Sequence, residues 1–374
     1  MPNERGASVA KARRSSEPAP ADTWGRAMIE TFQPSSIRSV EELEALLSEP
    51  TASVVETLSR LEGDILLLGA GGKMGPTLAR MAKRASLAAG SSRRVIGVSR
   101  FGHGQQEAVL RAHRIETIQC DLLDEPAVAK LPEAANVIFM TGLKFGSTGH
   151  EARTWAMNCY LPAIVCRRYG RSRFVVFSTG NVYGLMPVAE GGATEASAPR
   201  PVGEYAMSCL GRERMFEHFS RAGNIPMAVL RLNYASELRY GVLLDLARRV
   251  FAGETIDLAM GHFNTIWQAD ANAAALLAFQ HVATPPLVVN LTGPELLSVR
   301  QTCQEFGRLL NKTVTFSGTE APTALVSNGR LGERLFGAPQ VRAGQMIQWV
   351  ADWVKRGAPT LGKPTHFESR SGFF

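Results

Sequence analysis

Apolar positions follow two alternating rhythms along this chain. Short unbroken runs recur at Ile65-Leu66-Leu67-Leu68, Val95-Ile96-Gly97-Val98, 115–118, Val137-Ile138-Phe139-Met140 and Phe174-Val175-Val176-Phe177, as expected of strands buried on both faces. Between them, 74–87, 152–168 and 204–221 read as helices. Strand and helix in alternation predict an α/β fold built on a doubly wound parallel sheet. After Met227-Ala228-Val229-Leu230-Arg231 the rhythm loosens, with a helix over 241–252, a strand-like run at 288–291 and a helix over 299–310. These predict a smaller mixed region packed over the carboxyl end of the sheet. Upstream, Val40, Leu43, Leu46, Leu47, Val54, Leu58 and Leu61 recur every three or four residues around Pro50, which predicts two short amphipathic helices covering a flank of the sheet domain.

Composition narrows the picture only slightly. With 45% hydrophobic and 20% charged residues the chain can bury a large core, which excludes a disordered, collagenous or disulfide-stapled protein. No run approaches the roughly 18 apolar residues of a membrane span, and residues 1–21 have no apolar signal core, so a cytoplasmic protein without membrane contact is expected. Five cysteines without Cys-x-x-Cys spacing read as reduced thiols, and seven histidines without ligand spacing predict no metal site. The 41 Lys and Arg against 34 Asp and Glu invite a nucleic-acid reading. No basic stripe with interleaved aromatics supports it, so no nucleic-acid partner is expected.

The first strand runs into Gly69-Ala70-Gly71-Gly72-Lys73-Met74-Gly75 and then a helix. Glycines there let the backbone approach a dinucleotide's phosphates, and the helix N-terminus offers free N–H groups. The second strand ends in Ser99-Arg100 with no acid to accept from a ribose hydroxyl, so NADP(H) is favoured over NAD(H), although Arg100 equally suits stacking on adenine or facing solvent. Asp121, followed by Leu122 after the third strand, suits either the adenine amino group or a helix cap.

With these elements in place the chain resembles the extended short-chain dehydrogenase/reductase family, the NAD-dependent epimerase/dehydratase type, over about residues 64–310. The resemblance rests on the glycine turn, Thr141-Gly142-Leu143-Lys144, Asn158, Phe177-Ser178-Thr179-Gly180-Asn181-Val182-Tyr183-Gly184, Glu195, Tyr205-Ala206-Met207-Ser208-Cys209 and Trp267-Gln268-Ala269-Asp270. It implies a Rossmann-type sheet and a nicotinamide cofactor bordered by Thr141, Gly142, Lys144, Asn158 and Ser178. It also implies Thr179 on the reacting oxygen, Tyr205 as acid/base, and substrate contacts from Asn181, Asn233 and Trp267. A homodimer through the helices near 152–168 and 204–221 is implied as well.

One position departs. The family places Lys four residues after the tyrosine, one turn along the same helical face, and here that position is Cys209. A phenol near pKa 10 needs about 3 units of depression, roughly 4 kcal/mol, to act as a base at neutral pH, and a neutral thiol supplies none. Arg212, seven residues on, could reach back over Cys209, or could be a solvated residue paired with a carboxylate; Lys144 is a second cation. Otherwise Tyr205 stays protonated and serves as a proton donor, or the site binds a dinucleotide without chemistry.

The expected division is a disordered tail (1–24), a helical extension (25–62), a dinucleotide domain (63–231), a substrate region (232–357, interleaved with 185–201 and a returning sheet segment near 262–282) and a C-terminal tail (358–374). The function so read is hydride transfer at a carbonyl or alcohol carbon of a sugar, nucleotide-sugar or polyol-type substrate. The alternatives are an NADPH-dependent carbonyl reductase and a catalytically silent dinucleotide-binding sensor or scaffold. Arg231-Leu232-Asn233 is one residue shorter than the family's usual pattern, and no pyrophosphate-binding arginine stands in the usual place, which brings smaller free sugars and sugar acids into contention.

Overall fold

Seven strands form one all-parallel sheet in the computed structural model, which describes residues 34–102, 104–143 and 148–372. They are β1 (Ile65–Leu68), β2 (Val95–Ser99), β3 (Glu116–Gln119), β4 (Asn136–Phe139), β5 (Arg173–Thr179), β6 (Met227–Leu232) and β7 (Leu287–Leu291), in the spatial order β7-β6-β5-β4-β1-β2-β3. The register sets Ile65 beside both Val95 and Asn136 and carries Thr179 to Leu232, so the carboxyl ends of the central strands line up along one edge. All four β1 side chains are fully buried, because helices cover both faces.

The helices fall largely where the apolar spacing places them: α1 (Val40–Leu47), α2 (Ala52–Arg60), α3 (Gly75–Ala88), α4 (Gly104–Ala112), α5 (Glu125–Ala129), α6 (Glu151–Trp155), α7 (Leu161–Arg168), α8 (Gly203–Gly223), α9 (Val242–Ala252), α10 (Gln268–Leu277), α11 (Val299–Leu310), α12 (Arg330–Phe336) and α13 (Ala343–Lys355). Apolar faces of α2, α3 and α10 share one core with the sheet, and α7 and α8 build the core on its other face. A further core joins α1, α9, α11 and α13. The two upstream helices serve different cores: Val54 and Leu58 enter the first, Leu43 and Leu47 the other.

Two expectations are corrected. The run expected in the substrate region, 288–291, belongs to the seventh sheet strand (Leu287–Leu291), pairing with β6 through Leu287 to Ala228 and Leu291 to Leu232. The returning segment is therefore 287–291 and not 262–282. Residues 262–282 hold two two-residue strands, which pair with Leu297–Ser298 and Ala235–Ser236 in separate small ladders outside the main sheet, and α10, whose apolar residues pack on α3. The second correction concerns 152–168, expected as one helix: α6 and α7 are joined by a π turn, Ala156–Tyr160. Such turns re-aim side chains, and Asn158 lies within this one.

Candidate active site

The glycine turn closes tightly on the tips of β1 and β2. Gly69, at φ +97°, and Ala70 both donate to the Val98 carbonyl, at 2.9 and 3.1 Å. A Cβ on Gly71 would sit 2.6 Å from Ser99 Oγ, and one on Gly75 would run into the Ala70 carbonyl. Helix α3 starts at Met74 with no side-chain cap and with Pro76 in its first turn, so its leading N–H groups stay available to an anion. Close by, Thr141 Oγ1 is buried without a hydrogen-bond partner among the described residues. The turn, the uncapped N-terminus and the orphaned hydroxyl fit a dinucleotide. Lys73 is engaged elsewhere: its ammonium donates to the Ala235 carbonyl at 2.6 Å and lies 4.0 Å from the Tyr240 ring centroid, tying the turn to the opposite wall.

The remaining cofactor candidates divide. Arg100 is exposed beside Ser99. Asp121 is exposed and accepts from the Leu123 amide at 3.1 Å, while the cap of α5 is Asp124. The Leu122 side chain, 5% exposed, belongs to the core beneath the sheet, so it offers a ligand no side-chain contact. Lys144 lies outside the described residues.

The catalytic candidates converge on a cavity of about 260 Å³ at the carboxyl ends of β4, β5 and β6. Thr179, Ser178 and Asn181 enter it from the end of β5, Tyr205 and Arg212 from α8, Gly142 from the loop after β4, and Asn233 from the end of β6. Thr179 Oγ1 accepts from the Asn181 amide at 3.2 Å, which orients the threonine, and it shares a hydrogen bond with Tyr205. Asn158, fully buried, accepts from the Leu143 amide at 3.3 Å and donates to Ser208 Oγ at 2.8 Å.

Position 209 holds a fully buried thiol, packed with Val182, Tyr183 and Ala193. The nearest cation described is Arg212. It is 6% exposed, donates to the Phe177 carbonyl at 3.0 Å and to Asn158 Oδ1, and closes against Gly142, where any Cβ would collide with it. Among the described residues its Nε has no partner and no carboxylate pairs with it. Arg212 is therefore not a solvated surface residue: α8 lays it over the sheet edge, and two neutral oxygens hold the guanidinium without neutralising it. Burial pushes the Tyr205 phenol well above its ordinary 10, Cys209 adds to that, and Arg212 opposes it.

Two substrate-side expectations change. Trp267 is 3% exposed and packs tilted against Trp349, with centroids 5.4 Å apart, inside the core of α9, α11 and α13. An apolar ring finds that core more favourable than the cavity, and it lies off the cavity wall. Asn233 lines the cavity but commits its amide to Asn264 Oδ1 at 2.6 Å and to the Leu325 carbonyl. Tyr234, Tyr240 and Thr365 also line the cavity; the two tyrosines fall within the expected substrate region, whereas Thr365 comes from the segment expected as a C-terminal tail, and sequence reasoning singles out none of the three. No motif marks them, because loop closure over long sequence separations brings them in.

Glycine turn, parallel sheet and tyrosine cavity together define a dinucleotide-binding α/β protein of the extended short-chain dehydrogenase/reductase class. The profile of the NAD dependent epimerase/dehydratase family matches residues 65–262, and the chain belongs to that family. No curated protein matches it in sequence. Among solved structures it is similar to UDP-glucuronic acid 4-epimerase from Bacillus cereus in complex with UDP-glucuronic acid and NAD (TM-score 0.63, 16% identity, 78% of this chain and 99% of that one). Similar too are UDP-glucose 4-epimerase from Thermotoga maritima with UDP-glucose (0.64, 18%, 79% and 99%) and dTDP-glucose 4,6-dehydratase from Bacillus anthracis in complex with NAD (0.63, 14%, 79% and 97%). At these identities the likeness is one of fold. No helix among the described residues is long and apolar enough to cross a membrane, and no metal-ligating cluster occurs among them.

Proposed function

We propose that the protein is an NAD(P)-dependent oxidoreductase acting at a carbonyl or alcohol carbon of a sugar-like substrate, with net reduction as the favoured direction. When bound, the dinucleotide supplies or accepts a hydride. The chain's own residues do the rest. The turn of Gly69, Gly71, Gly72 and Gly75 with Met74, Thr141, Gly142, Asn158 and Ser178 positions the dinucleotide, and Thr179 orients the reacting oxygen. Tyr205 donates a proton to that oxygen in reduction and must lose it before it can act as a base in oxidation. Asn181 and Asn233 face the substrate. The observation that carries this reading is Arg212, a buried, unneutralised guanidinium in the same cavity wall as Tyr205 and Thr179. It is a positioning residue, acting through the phenol and through Asn158. The silent-scaffold reading has less support, because a buried cation retained without a carboxylate is costly unless it acts on something.

Tyr205 is protonated at neutral pH, so reduction should be flat with pH through neutrality, and oxidation should rise with pH toward the tyrosine pKa. Arg212→Ala removes the cation that lowers that pKa, so oxidation at pH 8 should fall by about tenfold for each unit of further rise. Reduction should keep its flat profile, and Arg212→Lys should recover part of the loss. Spectroscopic titration of Tyr205 that is identical in wild type and Arg212→Ala would remove Arg212 from the mechanism. NADPH and NADH titrated on the same protein rank the cofactors. Ser99 and the exposed Arg100, with no acid between them, support NADPH, and tighter NADH binding would reverse that preference.

A homodimer belongs to the same proposal. Trp155, Tyr160 and Met207 are large apolar side chains 37%, 49% and 45% exposed on the α6 to α7 segment and α8. Sedimentation at micromolar concentration should give twice the chain mass and Met207→Glu about half the dimer fraction or less; a monomer in wild type ends this part of the reading.

A further inference from the structure

Residues 361–372 cross the substrate side of the molecule and come to rest on the start of α8. They are tied down along their length. The Leu361 amide donates to the Arg239 carbonyl at 3.0 Å. Thr365, 1% exposed, donates its amide and hydroxyl to Asp245 Oδ2 at 2.8 and 2.6 Å. Phe367 is 2% exposed and packs on Phe263, and Glu368 pairs with Arg249 at 2.8 Å. Arg370 donates to the carbonyls of Thr323 and Ala259 at 2.8 and 3.1 Å and to Thr323 Oγ1 at 2.7 Å. Gly372 and Gly203, at φ +78° and +80°, meet backbone to backbone, and a Cβ on either would collide with the other strand. Gly203 stands two residues before Tyr205.

This segment bounds the cavity on two counts. Thr365 lies in the wall of the main cavity with Tyr205, Asn181 and Arg212. Beyond Asn181, Ser369, Arg370 and Gly372 shut down the space against Gly184 and Val202, leaving a crevice of about 10 Å³. Asn181 is the shared wall, so without the segment the cavity would continue past it along the start of α8. With the segment in place about 260 Å³ is left, less than the 300–1,000 Å³ of pockets that enclose drug-sized ligands, and the reacting end of a dinucleotide must share it.

The geometry points to residues 361–372 as a fixed wall that sets substrate size: the site takes a free monosaccharide or sugar acid and excludes a sugar that carries a nucleoside diphosphate. This rests on the oxidoreductase reading above. Arg212 brings a positive charge to the cavity wall, with no carboxylate paired to it among the described residues, so an acidic sugar is preferred to an amino sugar. The remaining polar groups, from Thr179, Asn181, Asn233, Tyr240 and Thr365, suit hydroxyls.

The test compares the full chain with a chain ended after Thr360 and with the point variants Arg370→Ala and Gly372→Ala, which leave Phe367 in the core. Calorimetry with saturating NADPH uses two probes, glucuronate and UDP-glucose. The full chain should bind glucuronate and give no measurable binding of UDP-glucose at millimolar concentration. Opening the wall should raise UDP-glucose affinity at least tenfold and leave NADPH affinity within twofold. If the shortened chain does not fold, the point variants read the same ratio. Tighter binding of UDP-glucose than of glucuronate by the full chain, unchanged discrimination in the folded variants, or no binding of either probe to any form would overturn the wall. Absence of NADPH or NADH binding by the full chain would instead overturn the oxidoreductase reading, and that titration is independent of the probe ratio.

Discussion

Replacing Tyr205 by Phe should lower turnover about a thousandfold and leave dinucleotide affinity within a few-fold of wild type, the usual scale for losing a positioned proton donor. The expectation follows from three facts about one oxygen. Tyr205 lines the cavity, its hydroxyl shares a hydrogen bond with Thr179, and burial holds the phenol in its protonated form at neutral pH. Phe keeps the ring and its packing on α8, so loss of rate without loss of dinucleotide binding isolates the proton. Steady-state kinetics in the reductive direction, paired with dinucleotide fluorescence titration, separates the two. A Tyr205→Phe enzyme within tenfold of wild type would mean that another group protonates the reacting oxygen. The effect should be the same at pH 6 and pH 8, because the group titrates well above both. A rate loss that appears only at high pH would mark Tyr205 as a base, not a donor.

The second large effect is on stability. Glu213 and Arg231 form an ion pair behind the cavity, both about 6 to 7% exposed, with Arg231 Nη2 donating to Oε2 at 2.6 Å and Nε to Oε1 at 3.0 Å. Ser178 donates to Glu213 Oε1 at 2.5 Å, Arg231 donates to Tyr183 Oη at 2.7 Å, and that hydroxyl donates to Asn290 Oδ1 at 2.7 Å. One network thus joins α8, β5, β6 and β7 and steadies the strand end that carries Thr179. Glu213→Ala leaves a buried guanidinium without its carboxylate and should cost about 3–5 kcal/mol in urea unfolding. Adding Arg231→Met should return a large part of that, because no uncompensated charge remains. A single variant within about 1 kcal/mol of wild type, or a double variant worse than the single, would show that the pair is not the main tie.

The chemistry was legible to the extent that it rides on local spacing. Gly69 to Gly75 follow a buried strand and precede a helix, and close approach requires glycine where Gly71 meets the Ser99 side chain and Gly75 meets the Ala70 backbone. The missing lysine is visible as Cys209, and the reach of Arg212 follows from a seven-residue step on one helix, so both could be reasoned before any contact was known. What Arg212 pairs with could not, because Phe177 and Asn158 are 35 and 54 residues away. Trp267 was misplaced for a related reason: next to Gln268 and Asp270 it resembles part of a site motif, yet an indole is drawn to the larger apolar core, where Trp349 waits. The strand at 287–291 was assigned to the wrong layer because apolar alternation identifies a strand but not its neighbour.

By itself the sequence determined the alternating strands and helices, the glycine turn, the tyrosine and the absence of the usual lysine, since each is written in residues a few positions apart, and the threonine is marked by its own Ser-Thr-x-x-Val-Tyr-Gly run. Only the tertiary structure decided that Arg212 is buried with no carboxylate paired to it among the described residues, that Lys73 is held by Ala235 and Tyr240, and that residues 361–372 wall the cavity beside Asn181. Periodicity reports which way a side chain faces, whereas the partner it meets depends on loop closures spanning tens to hundreds of residues, and these leave no local pattern in the chain.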